Sequence, residues 1–104
     1  MTTFDNRQKA FEDKFARDAD LQFKVGARRN RLLGEWVAER LGMTPEAASD
    51  YAKTVVAADF EEAGDEDVYR KVAGDLGNKA TEAEIRAAMQ TTFAEAQRQY
   101  MDVG

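Results

Sequence analysis

The sequence predicts an all-α protein, a four-helix bundle preceded by an amphipathic N-terminal helical arm. Three observations predict it. One proline occurs in 104 residues, and no stretch alternates β-branched and polar residues with period two. Apolar residues recur instead at spacings of three and four in five segments, each bounded by capping residues or glycine. Charge also divides along the chain. Met1 to Arg31 holds eight bases against five acids, whereas Leu32 to Gly104 holds seven against fifteen. A basic segment of net +3 is therefore joined to an acidic body of net −8. That layout suits reaching out to another molecule.

The first segment runs from about Thr3 to Arg17. Phe4, Phe11 and Phe15 fall on one narrow face, and Asp5 with Gln8 resembles a capping box. A helix this short is marginal alone in water. Two readings stand: a first helix packed on the core, or a loose arm that becomes fully helical on a partner. Residues 1–19 are taken as the arm and residues 20–104 as the bundle. Asp18-Ala19-Asp20 offers an N-cap for a second helix from about Asp20 to Leu41. Its face is formed by Leu21, Val25, Leu32 and Trp36, flanked by Leu33, Val37 and Leu41, and Gly42 follows as a C-cap signal. Thr44-Pro45 starts the third helix, with Ala48, Tyr51, Ala52, Val55, Val56 and Phe60 inward and Gly64 at its end. Asp65-Glu66-Asp67 puts negative charge at the start of a fourth, where the helix dipole favours it. Val68, Tyr69, Val72 and Leu76 are its apolar face, and Gly77-Asn78 ends it. Thr81 and Glu84 form a capping box for the fifth, which carries Ile85, Met89, Phe93, Ala96 and Tyr100. The short connections are those of antiparallel neighbours.

Composition removes several function classes. Cysteine and histidine are both absent. Disulfides and thiolate metal sites are excluded, and so are the commonest metal ligand, general base and pH switch. Control by acidification would have to run through carboxylates. Ser49 is the single serine and has no base near it in sequence. The run Asp59, Glu61, Glu62, Asp65, Glu66, Asp67 lacks the alternate spacing and central glycine of a calcium loop. No glycine-rich phosphate loop occurs. The expectation is a protein that is not an enzyme and holds no metal or cofactor. The net charge of −5 argues against a broad nucleic-acid surface. No apolar run approaches the ~18 residues of a membrane span, and no secretory signal opens the chain, so a cytoplasmic, not membrane-inserted protein is expected.

Arg28-Arg29-Asn30-Arg31 is the densest basic cluster, and Arg28 and Arg29 fill a one-turn gap in the apolar face of the second helix. A guanidinium there either snorkels to water or finds a carboxylate. The acidic turn from Asp59 to Glu62 is the expected partner, locking the second helix to the third.

Three stretches together are specific. They are Met1-Thr2-Thr3-Phe4-Asp5 leading to Ala10-Phe11-Glu12 and Lys14-Phe15-Ala16; Ala27-Arg28-Arg29-Asn30-Arg31-Leu32-Leu33-Gly34; and Val55-Val56-Ala57-Ala58-Asp59-Phe60-Glu61-Glu62-Ala63-Gly64 with Asp67-Val68 and Arg70-Lys71-Val72. They resemble the ζ subunit family of alphaproteobacterial F-type ATP synthases. The resemblance covers nearly the whole chain; after about Ala80 it holds only in helical character. It implies an inhibitor of the F1 ATPase, peripheral to the inner membrane through the ATP synthase. In such proteins the N-terminal segment inserts at a catalytic α/β interface near the central stalk, so the α, β and γ subunits are the implied partners. Mapped here, that segment is about Thr2 to Arg17. Its anchors by chemistry are Phe4, Phe11 and Phe15, with Arg7, Lys9, Lys14 and Arg17 around them. The resemblance also leaves two alternatives: a helical sensor binding ATP or ADP beside Arg28, Arg29 or Arg31, and an assembly or scaffold module without inhibitory action.

Overall fold

Local chemistry decides where each helix starts and stops. The computed structural model describes residues 3–58 and 65–103, with side chains in 6–58 and 65–101. Within them run α1 (Thr3–Arg17), α2 (Ala19–Arg40), α3 (Pro45–Ala58), α4 (Glu66–Leu76) and α5 (Glu82–Val103), with a 3₁₀ turn at Gly77–Lys79. Among the described residues there is no strand.

The Asp18 carboxylate caps α2 by accepting from the Leu21 N–H at 3.1 Å. At the other end of α2, Gly42 N–H donates to Glu39 O at 3.1 Å and Met43 N–H to Ala38 O at 3.0 Å. This crossed pair is a Schellman motif, and it needs the left-handed φ of 71° that Gly42 supplies. Thr44 Oγ1 accepts from Ala47 N–H at 3.3 Å, just ahead of Pro45. The Thr81–Glu84 box closes both ways: Thr81 N–H donates to Glu84 Oε1 at 2.9 Å, and Glu84 N–H to Thr81 Oγ1 at 3.1 Å. One expected cap is misplaced. α1 already begins at Thr3, so Asp5 is the third helical residue and not the N-cap; its side chain lies outside the described ones.

α2 is the axis of the fold. α3 and α5 pack along it most extensively, α4 closes against all three, and α1 lies against α2 and α5. The core is one cluster, built on Leu33, Val37, Val55, Val68, Val72, Leu76, Ile85, Ala88 and Met89. The expected faces of α4 and α5 hold for Val68, Val72, Leu76, Ile85, Met89 and Ala96.

The face of α2 is rotated from its expected position. Val25, Leu33, Gly34, Val37 and Ala38 are buried, whereas Leu32 and Trp36 are only half-buried. The reason is close approach. Gly34 sits on Ala52 of α3 so tightly that a Cβ there would lie 2.7 Å from the Ala52 Cα. Small residues let two helix backbones meet, yet they add nothing to an apolar pattern. Phe60 and Gly64, expected on and after α3, lie outside the described residues.

Candidate functional site

Two groups of side chains were expected to carry function, and the structure treats them differently. The first is the arm. Its amphipathic pattern makes α1 a helix of 15 residues, with Phe11 and Phe15 on one side. Phe11 stacks on Phe15 with centroids 6.2 Å apart, and Phe15 meets Phe93 of α5 edge-on at 5.8 Å and 70°. Such ring pairs are worth about 0.5–1.5 kcal/mol beyond the area they bury. Both arm rings are only half-buried. Arg7 Nη2 donates a long bond to Met101 O at 3.5 Å. Lys9, Lys14 and Arg17 are exposed, and Arg17 Nε donates back to Asp13 O at 3.2 Å. The Phe4 side chain lies outside the described ones. Between α1, α2 and the end of α5 remains a cleft of about 610 Å³, bordered by Arg7, Phe11, Lys14, Leu21, Lys24 and Tyr100. The arm is thus laid back on the helices it precedes, with Lys9, Lys14 and Arg17 outward and Phe15 against Phe93 of α5.

The second group separates. Arg29 alone turns inward, with 5% of its side chain exposed, while Arg28 and Arg31 lie on the outer surface. Arg28 therefore does not enter the gap it was expected to fill, because the neighbours of α2 cover only one of two adjacent positions. Arg31 pairs loosely with Glu35 at 3.8 Å, one turn on along the exposed surface. Arg29 Nη2 donates to Asp65 Oδ1 at 2.8 Å, and its Nε donates to Asn30 Oδ1 at 2.6 Å. Asp59, Glu61 and Glu62, the expected partners, lie outside the described residues; the carboxylate found on Arg29 is Asp65. Asp65 is the N-cap residue of α4, yet its side chain makes no capping bond. Arg29 takes it instead, so the pair ties α2 to the start of α4.

Asn30 is fully buried and its Nδ2 has no hydrogen-bond partner. An unpaired buried amide of this kind costs about 1–3 kcal/mol. Nearby, Arg86 of α5 reaches Glu66 of α4 at 2.9 Å and lies 3.8 Å from the Tyr69 ring centroid. Hydrogen bonding to Arg86 and its charge hold the Glu66 carboxyl below the usual range. Phe93 borders this charged cleft and also receives Phe15, so the arm and the Arg29 cluster share a wall.

Sequence reasoning missed three participants. Phe93 was read only as a member of the α5 core face. Asp65 was read as a helix-start charge. Gln22, whose Nε2 donates to Phe15 O at 2.7 Å, carried no signal at all. Among the described residues no group of three or more acids is placed to hold a metal ion. None of the helices searched is long and apolar enough to cross a membrane.

The class these features define is an all-helical protein in which a terminal helix bearing half-buried rings and exposed bases lies lightly against the other helices. Its family can be stated: the chain belongs to the ATPase inhibitor subunit zeta family, whose profile matches residues 1–99. A protein of known solution NMR structure is 56% identical and superposes with a TM-score of 0.75. The match covers 81% of this chain and 99% of that one. No curated protein matches the chain. The family is one of inhibitors, and that role in general applies here.

Proposed function

We propose that the chain inhibits ATP hydrolysis by the F1 sector of an ATP synthase, with α1 as the inhibitory segment and α2–α5 as the platform that carries it. α1 inserts at a catalytic α/β interface beside the central stalk. Phe4, Phe11 and Phe15 enter apolar slots and supply affinity, while Arg7, Lys9, Lys14 and Arg17 set orientation and encounter rate. A wedge blocks rotation and closure by occupying space, so it asks for no catalytic group.

The observation that carries this reading is the manner in which α1 is held. It is helical before any partner arrives, so the ordering cost of a folding-on-binding segment is largely met in advance. Two half-buried phenylalanines retain it. Exposing them costs on the order of 3 kcal/mol, taking half of a full ring burial for each plus one ring pair. An interface that buries the rings completely outweighs that. Among the described residues the core cluster takes none from α1, which supports a platform able to stand without it.

The test is hydrolysis by the F1 complex of the same organism, with the full chain added and with a chain lacking residues 2–17. Inhibition by the first and none by the second is expected. Equal inhibition by both would place the inhibitory surface on α2–α5. No inhibition by either would leave a scaffold role.

A further inference from the structure

The bend between α1 and α2 occupies one residue. Asp18 has φ −107° and ψ 101°, an extended backbone between a helix ending at Arg17 and one starting at Ala19. The helical ladder nearly passes through it. Asp18 N–H donates to Lys14 O at 2.9 Å, and Asp18 O accepts from Gln22 N–H at 3.0 Å, both with the four-residue spacing of an α-helix. Groups released by the bend are caught by side chains. Asp18 Oδ1 takes the Leu21 N–H at 3.1 Å, and Gln22 Nε2 reaches the Phe15 carbonyl at 2.7 Å. In an unbroken helix those two groups would pair with Arg17 O and Ala19 N–H. Leu21 N–H and Phe15 O are therefore satisfied in both the bent and the straight form, by different partners.

The register across the bend is continuous as well. Phe11, Phe15, Asp18, Gln22, Val25 and Arg29 recur at alternating steps of four and three, one stripe of a single helix. Two of its three polar members, Asp18 and Gln22, are the residues whose side chains stitch the bend, and the third, Arg29, is held by Asp65. In a straight helix the first two would stand where it leaves the fold, with the half-buried Asp18 returned to water and Gln22 exposed as it is now.

We infer that Asp18 is a reversible helix stop, and that loss of its bend fuses α1 and α2 into one helix of residues 3–40, lifting the Phe11–Phe15 face off Phe93. The arm is then presented as a rigid spoke, about 22 Å long for its 15 residues. This rests on the reading of α1 as the inhibitory segment and adds how that segment reaches a recessed interface. The aromatic contact with α5 is the latch of the bent state.

The chain has no cysteine, so two can be placed cleanly. Spin labels at Asn6→Cys and Arg98→Cys, both exposed positions, report the separation of α1 from the end of α5 in the full chain. With Asp18 intact the short distance dominates. Asp18→Ala removes the acceptor for Leu21 N–H and supplies a strong helix former. It raises a second, narrow population by roughly fivefold or more, longer by on the order of 15 Å. Asp18→Asn keeps an acceptor and stays short. Adding F1 to the chain with Asp18 intact converts it to the long, narrow distance. A short distance alone in Asp18→Ala, or a broad spread typical of a loose tether, overturns the inference. So does a short distance in the F1 complex. The variant measurement needs no F1, so the two readings fail separately. A helix that straightens without blocking hydrolysis sinks the function, and blocked hydrolysis at short distance sinks the hinge.

Discussion

Gly34→Ala should destabilise this protein although alanine is the better helix former. Gly34 lies in the middle of α2, where the exchange taken alone gains roughly 0.5–1 kcal/mol. The new Cβ, however, would lie 2.7 Å from Ala52 Cα, 3.1 Å from Ala52 Cβ and 3.3 Å from Val55 Cγ2. The first of these is backbone, so no side-chain rotation relieves it; α2 and α3 must move apart along their longest contact. Overpacking of this kind costs about 1–3 kcal/mol. The net expectation is a loss of about 1–2 kcal/mol, which lowers the melting midpoint by about 4–8 °C per kcal/mol in a domain of this size. Gly26→Ala and Gly74→Ala are internal controls, because a Cβ at either position meets nothing within 4 Å. Both should melt at or above the parent. Thermal unfolding followed by circular dichroism compares all three. A Gly34→Ala protein as stable as the parent would refute the close-packing argument, and with it the explanation of why the buried face of α2 is rotated.

Other outcomes follow from the same geometry. A double-mutant cycle on Phe15→Ala and Phe93→Ala, read by urea unfolding, should show a coupling of about 0.5–1.5 kcal/mol; zero coupling would mean that the arm is not docked in solution. Arg29→Met keeps the buried stem but leaves Asn30 Oδ1 without its donor, and should cost about 1–3 kcal/mol. Arg29→Lys should not restore it, since one ammonium cannot reproduce the forked contact with Asn30 and Asp65. Burial pushes the Asp75 carboxyl up, but hydrogen bonds from Tyr51 and Lys71, with the Lys71 charge, outweigh it and hold the group below its usual 3.8. Its stabilising contribution is therefore present above about pH 4 and lost as pH falls through the lower folded value. The stability gap between the parent and Asp75→Asn should shrink in that acid range and stay constant above it. Burial, the hydrogen bond to Asp75 and its charge all push the Tyr51 phenol above its ordinary 10.0. That contribution is complete below pH 10 and lost only as pH rises through the higher folded value. Tyrosinate absorbance from Tyr51, isolated by comparison with Tyr51→Phe, should thus appear only well above pH 10.

What the chain determined unaided is what depends on neighbours within one helical turn. The Thr81–Glu84 box, the Thr44-Pro45 start, the Gly42 and Gly77 stops and the Asp18 cap are contacts over two to five residues, so residue type and spacing were enough to read them. The all-helical class and the amphipathic pattern of α1 were legible for the same reason. Other features were decided by what lies opposite. Arg29 enters and Arg28 does not, Leu33 and Val37 outrank Leu32 and Trp36, Asp65 leaves its cap for Arg29, and Phe93 turns to Phe15. Adjacent positions on a helix differ by about 100° in direction, and only the helices packed around α2 and α5 choose between them. The arm shows both levels at once. Its rings and charges are written in its composition, but that Phe11 and Phe15 are half-covered, with Phe15 against Phe93 of α5, is a property of the assembled helices.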